Sequence, residues 1–294
     1  MRRFSYLLVA LSLVPLTGCA AFSEDVAGGD AGIRVVTAFY PLEYVATRVA
    51  GSHAGVENLT VPGKEPHDLE LTIKETAAVA QADLVVVEHG FQTAVDDAVE
   101  TSAEGDVVDV TDVVELKRDD DGHPNPHFWQ DPLLLADVGD AVAAALAGID
   151  EDHADDYTAN AAALRSDLEA VDASYAAGLA GCERDTVVVS HDAFGYLTRY
   201  GLHFEAIAGL SPDAEPTPAD LGHLQQLIEE DGITTVFGER LAPPDLVDTL
   251  AQDAGVTTGV LDPIEGLTPE TDAEDYLTLM AENLSALRTA NGCP

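Results

Sequence analysis

The chain has 294 residues, and its 54 Asp and Glu residues outnumber its 13 Lys and Arg residues, which gives a formal net charge of −41. This charge excludes a nucleic-acid-binding class and disfavours anionic membrane surfaces as partners, because like charges repel. The length is sufficient for two domains of ordinary size. Abundant Asp with scarce Lys is typical of a halophile, in which counterions screen the self-repulsion, so the charge predicts a high-salt habitat and little about function.

The N-terminus reads as an export signal followed by a tether. Two arginines precede an apolar run that is too short to span a bilayer comfortably, which predicts a signal peptide over residues 1–18. The run ends in LTGC, which resembles a bacterial or archaeal lipobox and implies cleavage before Cys19 and lipidation of that cysteine. Residues 19–32 are small, polar and rich in glycine, as in a flexible tether. We therefore expect a mature protein anchored by lipid to the outer face of the cell membrane.

The remaining chain divides into two similar halves, 33–150 and 182–294. The segment that begins at Val35 can be aligned with the one at Val187, and short β-branched runs alternate with helical patterns in both halves. This alternation predicts an α/β fold of two similar lobes, each a parallel sheet flanked by helices, and suggests an ancestral duplication. The predicted strands lie near 33–38, 56–61, 84–88, 107–110, 186–190, 203–208, 233–237 and 256–261.

One long helix is predicted between the halves, over residues 151–181. Apolar residues recur there at steps of three and four, as on one face of a helix. About 28 residues would extend roughly 42 Å, enough for a rigid connector between the two lobes. The apolar stripe consists of Tyr157, Ala161, Leu164, Leu168, Val171, Tyr175 and Leu179.

The two remaining cysteines are candidates for a disulfide. Cys182 begins the second half and Cys293 is the penultimate residue. An extracytoplasmic location is oxidising and permits such a bond, which would tie the C-terminus to the second lobe. The sequence does not show whether the two residues are close enough to bond.

Three of the nine histidines share one context, a loop that follows a predicted strand. These are His67, His127 and His191, and prolines flank the second of them in NPHFWQDP. Ligands collect beyond the carboxyl ends of strands in open α/β sheets, so residues from the two lobes can meet in the cleft between them. Asp262, at the end of the last predicted strand, is a fourth candidate. Three imidazoles and one carboxylate make a tetrahedral site suited to zinc.

Four motifs resemble those of the zinc-receptor branch of the metal-binding proteins of ABC importers. The resemblance runs from about Ile33 to the C-terminus and implies two lobes joined by a rigid helix, with one transition-metal ion in the cleft. It also implies a monomeric solute-binding lipoprotein that hands the ion to an ABC permease. Mapped by motif, the metal ligands would be His67, His127, His191 and Asp262. The motifs are EPHDLEL, NPHFWQDP, SHDAFGYL and VLDPIEG.

The metal assignment depends on His191. Relatives that carry manganese or iron have a carboxylate at this position, whereas an imidazole is softer and favours Zn2+. Mn2+ or Fe2+ remains the alternative cargo. The imidazoles must be neutral to bind, so we expect the affinity to fall as the pH drops through the histidine range.

The chain departs from the family pattern near His127. Asn125 stands where the family usually has Asp, and the preceding loop offers only His123 among acidic residues, in place of a long histidine-rich loop. His89 also follows a strand and is a candidate auxiliary ligand, while Asp68 and Asp192 are candidates to orient the ligating imidazoles.

Two other functions compete with the receptor interpretation. A secreted zinc hydrolase would need an open coordination position and a nearby base, but the chain contains no HExxH or GxSxG motif. We therefore expect no enzymatic activity. A surface adhesin with the same fold is the third interpretation, because a fold alone does not determine function.

Overall fold

The computed structural model describes residues 32–119 and 122–294. These residues form two lobes, each built on a four-stranded parallel sheet with helices against it. The strands are β1 (Ile33–Thr37), β2 (Ala54–Asn58), β3 (Leu84–Val87), β4 (Asp106–Asp109), β5 (Thr186–Val189), β6 (His203–Ala206), β7 (Thr235–Gly238) and β8 (Thr257–Val260). The first sheet has the strand order β2-β1-β3-β4 and the second has the order β6-β5-β7-β8, so corresponding strands occupy the same places in both. The predicted fold class is confirmed.

The central strands β3 and β5 are largely apolar, as expected where helices cover both faces of a parallel sheet. All four residues of β3, with the sequence LVVV, are buried, and so are the three valines of β5. Edge strands β2 and β8 are more exposed, which explains their mixed composition. Each of the eight predicted strands overlaps a strand of the two sheets.

The α-helices support the internal repeat. The helices are α1 (Tyr40–Ala50), α2 (Ile73–Gln81), α3 (Thr93–Ser102), α4 (Val110–Val113), α5 (Pro132–Ile149), α6 (Ala154–Gly178), α7 (Pro218–Glu230), α8 (Asp245–Ala254) and α9 (Tyr276–Asn291). Both α2 and α7, the helices that precede the third strand of each lobe, begin with a capping box, made by Thr72 with Glu75 and by Thr217 with Asp220.

The second lobe differs from the repeat pattern between β5 and β6. A 3-10 helix, Gly195–Tyr200, stands where the first lobe has α1. This segment packs closely against the loop before His127, since a Cβ atom on Gly195 would lie 3.2 Å from Asn125 Nδ2. The shorter connection thus brings the second lobe into contact with a loop of the first.

Helix α6 is the predicted connector and contacts both lobes. Six of the seven residues in its apolar stripe are buried, and Val171 is half-buried. On the first lobe, Gly139 allows α5 to approach closely, because a Cβ atom there would lie 3.0 Å from Leu164 Cδ2. On the second lobe, the hydroxyl of Tyr175 donates to the carbonyl of Met280 in α9, at 2.8 Å. The helix is therefore packed against the cores of both lobes.

Helix α5 is the one described helix that is long and apolar enough to cross a membrane. Eight of its residues are buried, including Leu135, Val138, Val142 and Leu146, which belong to the main hydrophobic core. Its apolar composition is that of a core helix.

The C-terminus is joined to the second lobe by a disulfide between Cys182 and Cys293. The signal peptide predicted over 1–18, Cys19 and all but the last residue of the tether over 19–32 lie outside the described residues.

Candidate metal centre

Three imidazoles and one carboxylate converge between the lobes. His67 lies in the loop between β2 and α2, and His127 directly precedes a 3-10 helix, Phe128–Gln130. His191 follows β5, and Glu265 lies in the loop after β8. One ligand atom from each of these four residues lies within 4.8 Å of the others.

The distances between the donor atoms match a tetrahedral metal site. Oε1 of Glu265 lies 3.5, 3.0 and 3.2 Å from the Nε2 atoms of His67, His127 and His191. The Nε2 atoms of His127 and His191 are 3.3 Å apart. Metal–ligand bonds of about 2.0–2.1 Å correspond to edges of about 3.3–3.4 Å in a regular tetrahedron. Four donors with this spacing can surround one zinc ion without large rearrangement.

The site is buried, and His67 is the most exposed of its four candidate ligands. His127, His191 and Glu265 are at most 1% exposed, whereas the side chain of His67 is 10% exposed. Nε2 of His67 is buried but makes no hydrogen bond within the described part of the chain. A buried imidazole nitrogen without a partner is costly, and a bound cation would satisfy it.

Hydrogen bonds orient two of the imidazoles. Nδ1 of His127 lies 2.9 Å from Oδ1 of Asn125, and Nδ1 of His191 lies 2.9 Å from Oε1 of Glu239. Because both partners are acceptors, each Nδ1 carries the proton in the neutral ring, and each Nε2 presents its lone pair to the centre. Asn125 therefore performs the orienting role although it lacks a charge.

The pKa values at the centre reflect its burial and its close pairs. Burial would raise the pKa of Glu265, but its close contacts with His127 and His191, together with the nearby imidazole of His67, hold it well below its usual range. Burial lowers the pKa of His127 to about 4, although the Glu265 carboxylate opposes this shift. Glu265 is therefore ionised and His127 neutral at neutral pH, which are the forms that bind a metal.

His191 shows the opposite shift. Burial lowers its pKa, but hydrogen bonds with Glu239 and Glu265 outweigh burial and raise the pKa to about 10. In the absence of metal, His191 is therefore protonated between two carboxylates, and its proton must leave when Nε2 binds a cation.

Aromatic rings form one wall of the centre. Phe91 and His67 pack in a T-shaped arrangement with their ring centroids 4.7 Å apart, and the ring centroids of Trp129 and His127 are 5.2 Å apart. These rings keep the imidazole positions fixed and reduce access of water to the donors.

Asp262, expected as the fourth ligand, lies outside this group of donors. Its Oδ2 accepts a hydrogen bond from Nε of Arg240 at 2.9 Å, and its Oδ1 accepts one from the backbone N–H of Ile264 at 2.8 Å. The carboxylate that meets the imidazoles belongs to Glu265, three residues later, because the chain turns between the two positions. Burial raises the pKa of Asp262 to about 6, partly opposed by Ile264 and Arg240.

Neither Glu265 nor Glu239 was predicted from the sequence, where Asp68 and Asp192 were the candidates to orient the imidazoles. Asp68 belongs to a separate group of carboxylates with Glu65 and Asp213. Glu265 lies within the motif VLDPIEG, so its carboxylate was a visible signal. Glu239, which directly follows β7, carried the same after-strand signal as the histidines.

Two further histidines lie away from the centre. His89 is well exposed and its Nδ1 lies 3.4 Å from Asp96. His123 is also exposed and pairs with Asp119 within its own loop, at 3.1 Å. Neither belongs to the four-residue group of donors.

Residues 35–290 match the model of the family described as "ZnuA: Zinc-uptake complex component A periplasmic". The chain belongs to this family. The ZnuA family is one of solute-binding receptors that act with ABC permeases, and several of its relatives are named as lipoproteins.

Curated relatives extend over most of the chain. The zinc-binding lipoprotein AdcA of Streptococcus pneumoniae is 34% identical over 308 aligned positions, covering 98% of this chain and 61% of the relative. The high-affinity zinc uptake system protein ZnuA of Bacillus subtilis is 31% identical, covering 87% of this chain and 86% of the relative. The chain thus spans about three-fifths of the length of AdcA and most of the length of the Bacillus protein.

Solved structures share the fold. Zn(II)-bound AdcA from Streptococcus pneumoniae superposes with a TM-score of 0.77 at 34% identity, covering 88% of this chain and 57% of that one. The laminin binding protein Lmb of Streptococcus agalactiae, described as bifunctional with adhesin and metal transporting activity, superposes with a TM-score of 0.82 at 28% identity. That match covers 88% of this chain and 99% of the Lmb chain.

Proposed function

We propose that this protein captures Zn2+ outside the cytoplasm and delivers it to an ABC-type permease. The observation that carries the proposal is the group of four donor atoms from His67, His127, His191 and Glu265, spaced as the edges of a zinc tetrahedron. The names of the relatives, which refer to zinc binding and zinc uptake, support the same cargo.

Zinc is favoured over manganese and iron by the chemistry of the donors. Three imidazole nitrogens and one carboxylate oxygen are softer than the oxygen-rich set that Mn2+ prefers. His191 contributes the third nitrogen, and its Glu239 partner increases the basicity of the ring. We therefore expect this donor set to bind Mn2+ or Fe2+ less tightly than Zn2+.

A binding role, without enzymatic turnover, follows from the number of donors. A catalytic zinc usually has three protein ligands and keeps the fourth position for water. Here a fourth protein donor, Glu265, occupies that position and is buried among the imidazoles. We infer a receptor and not a hydrolase.

Delivery requires the protein to stay near its permease. We infer that residues 1–18 are removed as a signal peptide, that Cys19 is lipidated, and that residues 19–32 act as the tether to the outer face of the membrane. The relative named as a lipoprotein supports this arrangement. The mature protein would act as a monomer, since the donors of the centre come from one chain.

The two-lobe division suggests how the ion is released. We propose lobes over 33–150 and 182–294, with residues 151–181 as the rigid connector. Because α6 packs against both lobes, we expect a small movement of loops and side chains around the ion and not a wide hinge opening.

Adhesion is a second candidate function. The structural neighbour Lmb is described as both an adhesin and a metal transporter, and it matches this chain over 88% of its length. Direct binding of the purified protein to immobilised laminin would support an adhesive function. Adhesion and zinc capture can occur in the same protein.

Metal content and competition test the zinc proposal. The purified protein is stripped with a chelator, exposed to Zn2+ and Mn2+ together in high salt, and analysed for bound metal. We expect one zinc per chain, retained against excess manganese. His191→Ala should weaken zinc binding by more than about 100-fold, because changes outside the ligands already cost 10–100-fold.

His89→Ala is the matched control, because this histidine is exposed and lies away from the donor group. It should bind zinc like the wild type. Preference for manganese would contradict the metal assignment, and failure to retain any ion would contradict the proposed function itself.

A further inference from the structure

The loop that carries Glu265 contains an unusual backbone conformation. Ile264 has a φ of 60°, and it is the one residue other than glycine with a positive φ in the described chain. A β-branched side chain disfavours this left-handed region, so the conformation persists only where its surroundings enforce it. Ile264 is also fully buried, directly before the carboxylate donor.

Asp262 makes the contacts that enforce this turn. Its Oδ1 accepts a hydrogen bond from the N–H of Ile264 at 2.8 Å, which closes a short loop across Pro263. Its own backbone N–H and carbonyl are both paired with the side-chain amide of Asn283 in α9, at 2.8 and 2.6 Å. The residue is thus fixed at both the backbone and the side chain.

Arg240 fixes the second oxygen of Asp262. Nε of Arg240 donates to Oδ2 at 2.9 Å, and Nη2 of the same guanidinium lies 3.0 Å from Glu282 in α9. With one oxygen held by Arg240 and the other by Ile264, the Asp262 carboxylate cannot turn toward the imidazoles without losing both contacts.

The same turn is attached to the first lobe. The carbonyl of Pro263 accepts hydrogen bonds from Nε1 of Trp129 at 2.7 Å and from Nε2 of Gln130 at 2.5 Å. Both donors follow His127 closely in the chain. The turn that presents Glu265 and the loop that presents His127 are therefore bonded to each other across the two lobes.

We propose that Asp262 is a positioning residue for the metal centre: it holds the left-handed turn at Ile264 so that Glu265 reaches the three imidazoles. This inference rests on the proposed function, because it assumes that the four donors bind zinc. Without the Asp262 acceptor, Ile264 would relax toward negative φ, and the direction of the Glu265 side chain would change. The metal-free protein would then present the Glu265 carboxylate correctly only part of the time, so zinc binding would have to restore the turn and the affinity would fall.

Cobalt spectroscopy and zinc competition distinguish positioning from ligation. Co2+ in a tetrahedral site has visible absorption bands that report its donors, and zinc affinity is measured against a chelator. Asp262→Ala should lower zinc affinity by about 10–100-fold, as expected for a group outside the ligands. Its spectrum at saturating Co2+ should match that of the wild type, because the same four donors bind. Glu265→Gln should change both the affinity and the spectrum.

Asp262→Asn is the conservative variant. It keeps an oxygen that can accept a hydrogen bond from the N–H of Ile264, so it should recover most of the zinc affinity lost in Asp262→Ala. If the alanine variant does not fold, the zinc affinity of Asp262→Asn relative to the wild type tests the positioning role instead. Asp167→Ala is the matched control, because it removes the ion pair of Asp167 with Arg48 at 2.7 Å, away from the turn. It should leave zinc affinity unchanged.

Two results would overturn the positioning role. A saturated Co2+ spectrum of Asp262→Ala that differs from the wild type as the Glu265→Gln spectrum does would make Asp262 a ligand. Zinc affinity of Asp262→Ala within twofold of the wild type would leave Asp262 without influence on the centre. Failure of the wild type to bind zinc is a different result, which would overturn the proposed function.

Discussion

Glu88 is a carboxyl group that the fold buries outside the metal centre. Neither of its side-chain oxygens has a hydrogen-bond partner within the described ranges, and the residue is 2% exposed. Burial raises its pKa well above the usual value, and the negative charges of Asp109 and Asp96 add to this effect. The group is therefore protonated in the folded protein under conditions in which it ionises in the unfolded chain.

The shift makes the stability of the protein depend on pH. A carboxyl group whose pKa is raised by folding favours the folded state at low pH, and this contribution is lost as pH rises above the unfolded pKa of about 4.3. While the pH lies between the two pKa values, the loss is up to about 1.4 kcal/mol per pH unit. Glu88→Gln keeps the shape but cannot ionise, so its stability relative to the wild type should increase from pH 5 to pH 8.

Urea unfolding of both proteins at several pH values measures this difference. Glu169→Gln, an exposed change on α6, is the control and should show a constant difference. If the difference for Glu88→Gln is equally constant, the raised pKa of Glu88 is refuted.

At the scale of elements, α6 connects the two lobes through apolar packing supported by polar contacts. Leu164 and Leu168 lie in the core, and Arg165 pairs with Asp137 of α5 at 2.7 Å. At the other end, the hydroxyl of Tyr200 donates to Asp172 at 2.7 Å. These contacts hold the 25-residue helix against both lobes.

Leu168→Ala tests the contribution of this packing. Removing a fully buried leucine side chain leaves a cavity, so we expect the free energy of unfolding to fall by about 2–5 kcal/mol. Urea unfolding gives this value. Glu169→Ala, the exposed neighbour on the same helix, should change it by less than about 0.5 kcal/mol. Equal effects of the two substitutions would show that α6 is not packed as a core element.

At the scale of the whole molecule, charge is the dominant feature. A net charge of −41 on 294 residues opposes compaction, because like charges repel across the surface. The Debye length falls from about 10 Å at 0.1 M salt to about 3 Å at 1 M, so salt reduces this repulsion. The halophilic habitat inferred from composition remains a prediction, and its physical basis can be tested on the purified protein.

We expect the melting temperature to rise with NaCl, most steeply below about 1 M, where screening of the repulsion changes most. NaCl and KCl at equal ionic strength should act alike if screening is the cause. A melting temperature that does not change between 0.1 and 2 M salt would contradict electrostatic destabilisation at low salt.

The two parallel sheets, the connecting helix and the three histidines that meet between the lobes could be predicted from the sequence. Each follows from local patterns: β-branched runs for strands, steps of three and four for α6, and loops after strands for His67, His127 and His191. Carboxyl ends of parallel strands lie at one edge of a sheet, so residues far apart in sequence could be expected together.

The carboxylate that joins the histidines could not be predicted, because it depends on contacts between distant parts of the chain. Asp262 and Glu265 lie in one motif, three residues apart, and both are chemically suited to zinc. The choice depends on the positive φ of Ile264 and on Arg240, which takes the Asp262 carboxylate for an ion pair. Neither a left-handed isoleucine nor a partner from another loop leaves a local signal, because both exist only when distant parts of the chain pack together.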